Sequence, residues 1–343
     1  MVIMSEQLRR GLIRLLLLSG IFCPAAFGGT LDQVISRGEL RCGIAGDVPG
    51  FSSPDDSGQM RGIDASMCAA VAAAVLGDAS KVEYVPVSAK ERFVALSSGE
   101  IDLLSRQTTH TLTRDASLGL EFTYYNYIDG QGFMVRRESG ITKATELDGA
   151  TICVLAGTTT ELNLADYFRS RKLEYSPMSY ESAVQTREAF EGGACDALTA
   201  DKSKLAALRT EMRDPASAVL LKETISKEPL GPVVAQGDHQ WEDIVKFVLY
   251  ALLNAEEIGI TSKNIVKFKG RKISPVVDRI TGVEGNLGAL LGLQPEWAYN
   301  AIAQVGNYGE IYANTLEVIG IPRAGSVNDL WVRGGLLYAP PLR

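Results

Sequence analysis

Along the first third of the chain, short apolar runs alternate with stretches whose apolar positions recur every three to four residues. Leu40 to Ile44, Lys81 to Val87 and Ile101 to Leu104 read as strands, with Asp64 to Leu76 and Ala89 to Ser98 as the helices between them. Strand and helix in alternation predict a parallel sheet covered by helices. Gly130 to Val135 reads as an extended crossing segment. A second round follows, with strands at Thr151 to Leu155, Leu173 to Pro177 and Ala194 to Thr199, and helices at Thr160 to Arg169 and Glu181 to Gly192. Pro229 to Val234 reads as a strand returning to the first unit. Gln240 to Ile258 reads as a long amphipathic helix, with Ile244, Phe247, Val248, Ala251 and Leu252 on one face. Trp297 to Val318 is also helical in pattern. Two similar α/β units crossed twice by the chain predict a hinge and a cleft, with lobe one formed by 29–131 plus 233–343 and lobe two by 132–232.

The N-terminus changes the picture first. Arg9, Arg10 and Arg14 precede the apolar run Leu15 to Leu18 and small residues ending Ala25-Ala26-Phe27-Gly28, the pattern of a secretory signal peptide over residues 1–28. Its apolar core is shorter than the roughly 20 residues of a spanning helix. Cys23 follows Gly20-Ile21-Phe22, which puts a bulky ring where lipid attachment needs a small residue, so a soluble exported protein is expected. Removing the signal takes the net charge from −7 to about −9. An acidic balance without a basic stripe argues against nucleic acid as a partner.

Four cysteines remain, Cys42, Cys68, Cys153 and Cys195, an even number in an oxidising compartment. Chain order favours Cys42–Cys68 and Cys153–Cys195, one bridge inside each lobe, because a bridge between lobes would lock the hinge; four buried thiols are the alternative. No CxxC pair exists and only His110 and His239 offer imidazoles, so neither a metal nor a cofactor is expected.

In open α/β sheets ligands sit at the carboxyl ends of strands. Three features fall there. Thr108-Thr109-His110-Thr111-Leu112-Thr113-Arg114 is a threonine ladder leading to an arginine, whose guanidinium offers two parallel donors to a carboxylate. Leu155 to Glu161 runs from a strand into a helix, with Thr158 and Glu161 at capping-box spacing and free amides to offer an anion. Asp201, closing the stretch Cys195-Asp196-Ala197-Leu198-Thr199-Ala200-Asp201, follows an apolar strand at the start of a helical stretch. Each feature also serves as a plain helix start or cap. Together, an arginine for one charge and an aspartate for the other fit a zwitterion, and an α-amino acid is one.

Several stretches carry a resemblance that covers nearly all of the exported chain. They include Ser88-Ala89-Lys90-Glu91-Arg92-Phe93, Thr111-Leu112-Thr113-Arg114-Asp115, Asp129 to Val135, Ala156 to Leu164, Ile225-Ser226-Lys227-Glu228-Pro229-Leu230-Gly231-Pro232 and Gly306 to Tyr312. In these the sequence resembles periplasmic solute-binding proteins of the polar amino-acid ABC-transporter family, within it the general L-amino-acid-binding group. The resemblance implies the type II periplasmic-binding-protein fold, each lobe a parallel-rich sheet, joined by a two-segment hinge. It implies that Arg114 clamps the α-carboxylate with the Thr109 hydroxyl or amide and the Thr159 amide. Asp201 then holds the α-ammonium, the Gln107 carbonyl faces it, and Asp47 addresses the ligand side chain. The chain departs from relatives at His110, at Leu155 and at Ala89, where larger or more polar groups are common, so a roomy pocket and broad acceptance of polar amino acids are expected. His110 is either a pH-sensitive contact or an exposed loop imidazole, and His239 a surface or capping residue at a helix start.

By the same resemblance the partners are an L-amino acid and an inner-membrane permease, the chain is a monomer in the periplasm, and residues from about 256 onward elaborate lobe one. The other reading is a dehydratase-like enzyme on this fold, with Asp47 or His110 as its acid.

Overall fold

The protein was analysed as a computed structural model that describes residues 28–343, so the expected secretion signal, Gly28 apart, lies outside the described residues. The chain opens with α1 (Thr30–Arg37), β1 (Leu40–Ile44), a small hairpin of β2 (Ser53–Pro54) and β3 (Met60–Arg61), α2 (Ile63–Leu76), β4 (Val82–Pro86), α3 (Arg92–Ser97), β5 (Leu103–Leu104), α4 (Leu112–Ser117), β6 (Leu120–Phe122) and β7 (Tyr127–Asp129). It continues with β8 (Gln131–Arg136), β9 (Ala150–Leu155), α5 (Thr159–Arg171), β10 (Tyr175–Tyr180), α6 (Ala183–Glu191), β11 (Ala197–Asp201), α7 (Lys202–Thr210), β12 (Ala218–Leu220), β13 (Glu228–Leu230) and β14 (Val233–Ala235). Beyond these lie α8 (His239–Glu257), α9 (Pro275–Ile280), α10 (Leu287–Leu291), α11 (Trp297–Val305) and α12 (Tyr308–Thr315).

Two five-stranded sheets result, and they share one plan. The first runs β4-β1-β5-β14-β6 and the second β10-β9-β11-β8-β12. In each, three parallel strands are followed by an antiparallel one that the chain lays down just after crossing between lobes. Both disulfides stay within a lobe. Cys42–Cys68 ties β1 to α2 and Cys153–Cys195 ties β9 to the strand entry at β11, with Cα separations of 6.1 and 5.6 Å.

The crossings themselves pair. β7 and β13 form a two-stranded antiparallel ribbon, with Glu228 opposite Asp129, Pro229 opposite Ile128 and Leu230 opposite Tyr127. The expected single strand from Pro229 to Val234 is therefore two strands, one in the hinge ribbon and one in the first sheet. The break falls at Gly231-Pro232 for two physical reasons. A Cβ at Gly231 would sit 2.1 Å from the Tyr124 carbonyl oxygen, so the second crossing passes tight against the first, and Pro232 has no N–H to give a ladder.

The expected helix from Ala89 is shorter than its pattern, beginning at Arg92 after a turn in which the Ser88 hydroxyl accepts from the Glu91 amide. The pattern from Trp297 to Val318 is likewise two helices. Gly306, at φ 99°, turns the chain, and Asn307 then caps α12 in a capping box with Glu310.

Residues beyond 256 pack as core. α2 is apolar on all sides, Met67, Ala70, Val71, Ala73 and Ala74 being buried, because β1 and β4 cover it on one side and α8, α11 and α12 on the other. Trp297, Tyr308 and Tyr312 are among the largest fully buried side chains. The tail lies along the same lobe, where the Tyr124 hydroxyl donates to the Tyr338 carbonyl and Asn254 Nδ2 to that of Pro340. It also holds the hinge. Asn328 behaves as a strand partner for Ile128, accepting its N–H at 2.6 Å and donating to its carbonyl at 2.9 Å, while the Tyr308 hydroxyl donates to the Asn126 carbonyl at 2.6 Å.

Because Asn328 is buried, Asn328→Ala leaves both Ile128 backbone groups without partners. A loss of about 2 kcal/mol in unfolding free energy is expected by urea denaturation; an unchanged midpoint contradicts this assignment of the hinge's support.

Candidate ligand-binding cleft

At the end of β5 the chain makes an unusual turn. Gln107 takes a positive φ of 39°, rare for a residue with a side chain. Asp64, in the first turn of α2, holds that turn by accepting from the Ser105 hydroxyl, the Gln107 amide at 3.0 Å and Asn126 Nδ2. Burial pushes the Asp64 carboxyl up to about 6 despite those donors. The next residues lie against the hinge: His110 N donates to the Pro229 carbonyl and Gly231 N to that of Thr108. Thr109, between them, turns its own N–H and C=O away from β13. Its carbonyl accepts from Arg114 Nη1 at 2.8 Å.

From lobe two come the start of α5 and the end of β11. Thr158 and Glu161 do not form the expected capping box. The Thr158 hydroxyl donates to the Leu155 carbonyl, and the Glu161 carboxylate accepts from the Gly157 amide and Ser179. The reason is the tight Leu155-Ala156-Gly157 turn, which keeps Thr158's hydroxyl on its own strand. The consequence is a helix N-terminus with no side-chain cap. Asp201 heads α7 but does not cap it either, and its Oδ1 has no partner.

The lobes are closed on one another. Thr109 and Thr159 hydroxyls lie 3.3 Å apart across the cleft, and Lys90 pairs with Glu181 at 2.7 Å. Gly157, at φ 74°, allows the approach, since a Cβ there would meet the Lys90 side chain at 2.8 Å. Between the lobes lies a small cavity, with about 20 Å³ of open space, lined by Arg92, Gln107, Thr109, Leu155, Thr158, Thr159, Thr160, Ala200, Asp201 and Lys204. Of the residues singled out in the sequence, Gln107, Thr109, Thr159 and Asp201 meet here. Arg114 stands behind Thr109 as a buried cation, its guanidinium carbon 5.2 Å from the centre of the Phe93 ring.

His110 and Asp47 do not line this cavity. His110 stacks on Phe122 with ring centres 4.4 Å apart, its Nε2 lies 3.6 Å from the Asp115 carboxylate and its Nδ1 3.4 Å from the Tyr125 hydroxyl. Asp47 sits in the loop after β1, half-buried and outside the lining, where its charge bears on Arg106 and, in the cavity wall, on Lys204. His239 is the exposed first residue of α8, whose cap is Asp238.

Three charged groups were missed. Arg92 is buried, its Nε lacks a partner, and desolvation followed by the charges of Arg106 and Arg114 holds its pKa well below the usual arginine range. Periodicity reads it as an ordinary first-turn arginine. Lys204 stands three residues after Asp201, on the same side of α7, a spacing that was available as a signal. Burial lowers its pKa while Asp201 opposes the shift. Glu228, on β13, is the third. It accepts from the Thr109 hydroxyl at 2.6 Å, the Thr159 hydroxyl at 2.9 Å, Asn163 Nδ2 at 2.7 Å and the Ser226 hydroxyl. Each threonine hydroxyl has one proton, and both are spent on Glu228, so what Thr109 and Thr159 offer a ligand is their amides.

Two α/β lobes on a paired-strand hinge, closed over a small charged cavity, define a two-lobed solute-binding protein of the type II periplasmic-binding fold. The model of the bacterial extracellular solute-binding proteins, family 3, matches residues 40–265, and the chain belongs to that family. The glutamate/glutamine/aspartate/asparagine-binding protein BztA of Rhodobacter capsulatus is 47% identical over 327 residues, covering 95% of this chain and 97% of that one. The general L-amino acid-binding periplasmic protein AapJ of Rhizobium johnstonii is 48% identical over 322 residues, 93% and 94% of the two chains. A solved periplasmic binding protein from Brucella ovis with glutathione bound superposes with a TM-score of 0.89 at 46% identity, covering 92% of this chain and all of that one.

Glu228→Ala removes the acceptor shared by both lobes and strands four donors. A fall of about 3 kcal/mol in unfolding free energy is expected, with Glu228→Gln milder; calorimetric melts that place both variants level with the parent remove the role given to Glu228.

Proposed function

We propose that this chain is the substrate-binding component of an ABC importer, that it captures L-amino acids in the periplasm by hinge closure, and that it delivers them as a monomer to a membrane permease. The observation that carries the reading is the meeting, in one closed cavity, of an uncapped helix N-terminus with a buried aspartate whose Oδ1 has no partner. The first suits a carboxylate and the second an ammonium. In this reading the α-carboxylate takes the Thr109 and Thr159 amides and the guanidinium of Arg114, and the ammonium takes Asp201 and the free Gln107 carbonyl. The named activities of BztA and AapJ support it. Because the groups come from different lobes, a bound zwitterion stabilises the closed form through contacts the open form lacks. The dehydratase-like alternative draws on Asp47 and His110, which lie outside the cavity wall; incubation with ligand followed by mass spectrometry is expected to return the ligand unchanged.

Arg114→Ala is expected to weaken amino-acid binding by about 3 kcal/mol, more than a hundredfold, in titration calorimetry while the melt stays cooperative. Undiminished affinity refutes the assignment. Affinity also depends on pH through Asp201, which burial first, then the charges of Asp129 and Glu228, push up to about 7 against Lys204 and Arg114. The ligand ammonium favours the ionised carboxylate, so binding expels a proton below pH 7. Affinity is expected to be level above pH 7 and to fall by up to about tenfold per unit below it. Calorimetry at pH 6 in two buffers of different ionisation enthalpy reads the proton directly, and identical heats in both count against the role of Asp201.

A further inference from the structure

The cavity is charged beyond what a dipolar head group needs. Arg92 comes from lobe one and Lys204 from lobe two, and both line it. Both are more than nine-tenths buried, Arg92 at 2% and Lys204 at 7% exposure. Arg92 Nε is unpartnered, as are both amide atoms of Gln107 beside it. Lys204 Nζ makes no hydrogen bond or ion pair among the described residues.

The neighbouring charges are committed elsewhere. Arg106 donates from Nε to the Val87 carbonyl at 2.7 Å and faces Asp47 and Asp64. Glu228 is turned to four donors. Once an amino acid's ammonium takes Asp201 and its carboxylate takes the Thr109–Thr159 end with Arg114, no protein anion in the cavity wall remains for Arg92 and Lys204. Lys204 then keeps only the charge of Asp47, which Arg106 shares, and Arg92 none; cations buried with so little compensation cost several kcal/mol, and a ligand that brings a carboxylate recovers part of it.

We propose that Lys204 and Arg92 form a second anion subsite in this cavity, that the ligands it favours are amino acids with a carboxylate side chain, and that Lys204 is the residue selecting the acid over its amide. This rests on the amino-acid reading of the cleft. Since the two cations belong to opposite lobes, a side-chain carboxylate between them adds a second bridge across the cleft. An amide also satisfies Gln107 and Arg92 as a hydrogen-bond acceptor, but it leaves the net positive charge in place. A cationic side chain is rejected outright.

The test is titration calorimetry of the exported protein with L-glutamate, L-aspartate, L-glutamine and L-asparagine, repeated with Lys204→Met, Lys204→Gln and Lys204→Arg after thermal melts establish that each folds. The parent is expected to bind each acid at least about tenfold tighter than its amide. Lys204→Met should weaken the acids at least about tenfold while the amides move less than about threefold, and Lys204→Arg should keep the preference for acids. Lys204→Gln, which keeps a polar chain of similar length, carries the comparison where Met does not fold. An unchanged acid-to-amide ratio overturns the inference, and so does equal tightening of all four ligands, which marks Lys204 as a competitor for Asp201. A parent that binds neutral amino acids but neither acid overturns the inference and leaves amino-acid capture standing; one that binds no amino acid overturns both.

Discussion

Closing the two lobes buries charge, and the need to neutralise that charge governs the cleft. Arg92, Arg114, Asp201, Lys204 and Glu228 are all buried where the lobes meet. In water each is solvated at little cost; in the closed cavity each needs a partner or a large pKa shift. The protein supplies partners for some. Glu228 has its four donors, and Asp64 has three. Asp201 and Arg92 are left with unpartnered atoms, so the closed form is completed by what it encloses. A binding protein needs that arrangement, since a cleft satisfied on its own would close without cargo and signal nothing.

The rest of the fold holds these groups to their positions. Gln107 keeps its positive φ because Asp64 accepts its amide and Asn126 supports Asp64 from the hinge side. Gly157 and Gly231 mark the two places where backbone must come closer than a side chain permits, one between lobes and one between hinge crossings. The chain past residue 256 covers the far side of α2 and reaches around to β7.

Much of this was legible. Alternating strand and helix patterns gave both lobes, since half-buried helices and buried strands have different periods, and the pairing of Cys42 with Cys68 and Cys153 with Cys195 followed from keeping a hinge free. Asp201 was singled out because it follows an apolar strand, and it lies in the cavity wall. What stayed hidden depends on distant contacts. Nothing local distinguishes Arg92 from an exposed first-turn arginine, nor Glu228 from a hinge-surface residue; each is defined by what the other lobe brings against it. His110, in the threonine ladder by sequence, stacks on Phe122 and approaches Asp115 outside the cavity lining, contacts that local sequence does not foretell.

The two hydrogen-bond sets on β7 locate where the first crossing yields. Asn126 and Ile128 are bonded to Tyr308 and Asn328, which belong to the layer over lobe one. One residue later the attachments change sides: Asp129 accepts from the Ser203 amide at 3.1 Å, and the Gly130 carbonyl accepts from the Lys202 amide at 2.9 Å, both at the head of α7 in lobe two. The first crossing therefore passes from lobe-one to lobe-two attachments between Ile128 and Asp129. That same head of α7 carries Asp201 at its N-cap position and Lys204 in its first turn, so the element bonded to the crossing is also the one that places these two charges in the cavity wall. The charged helix end is thus tied directly to the strand that joins the lobes, so a ligand that engages Asp201 and Lys204 acts on the hinge through Ser203 and Lys202.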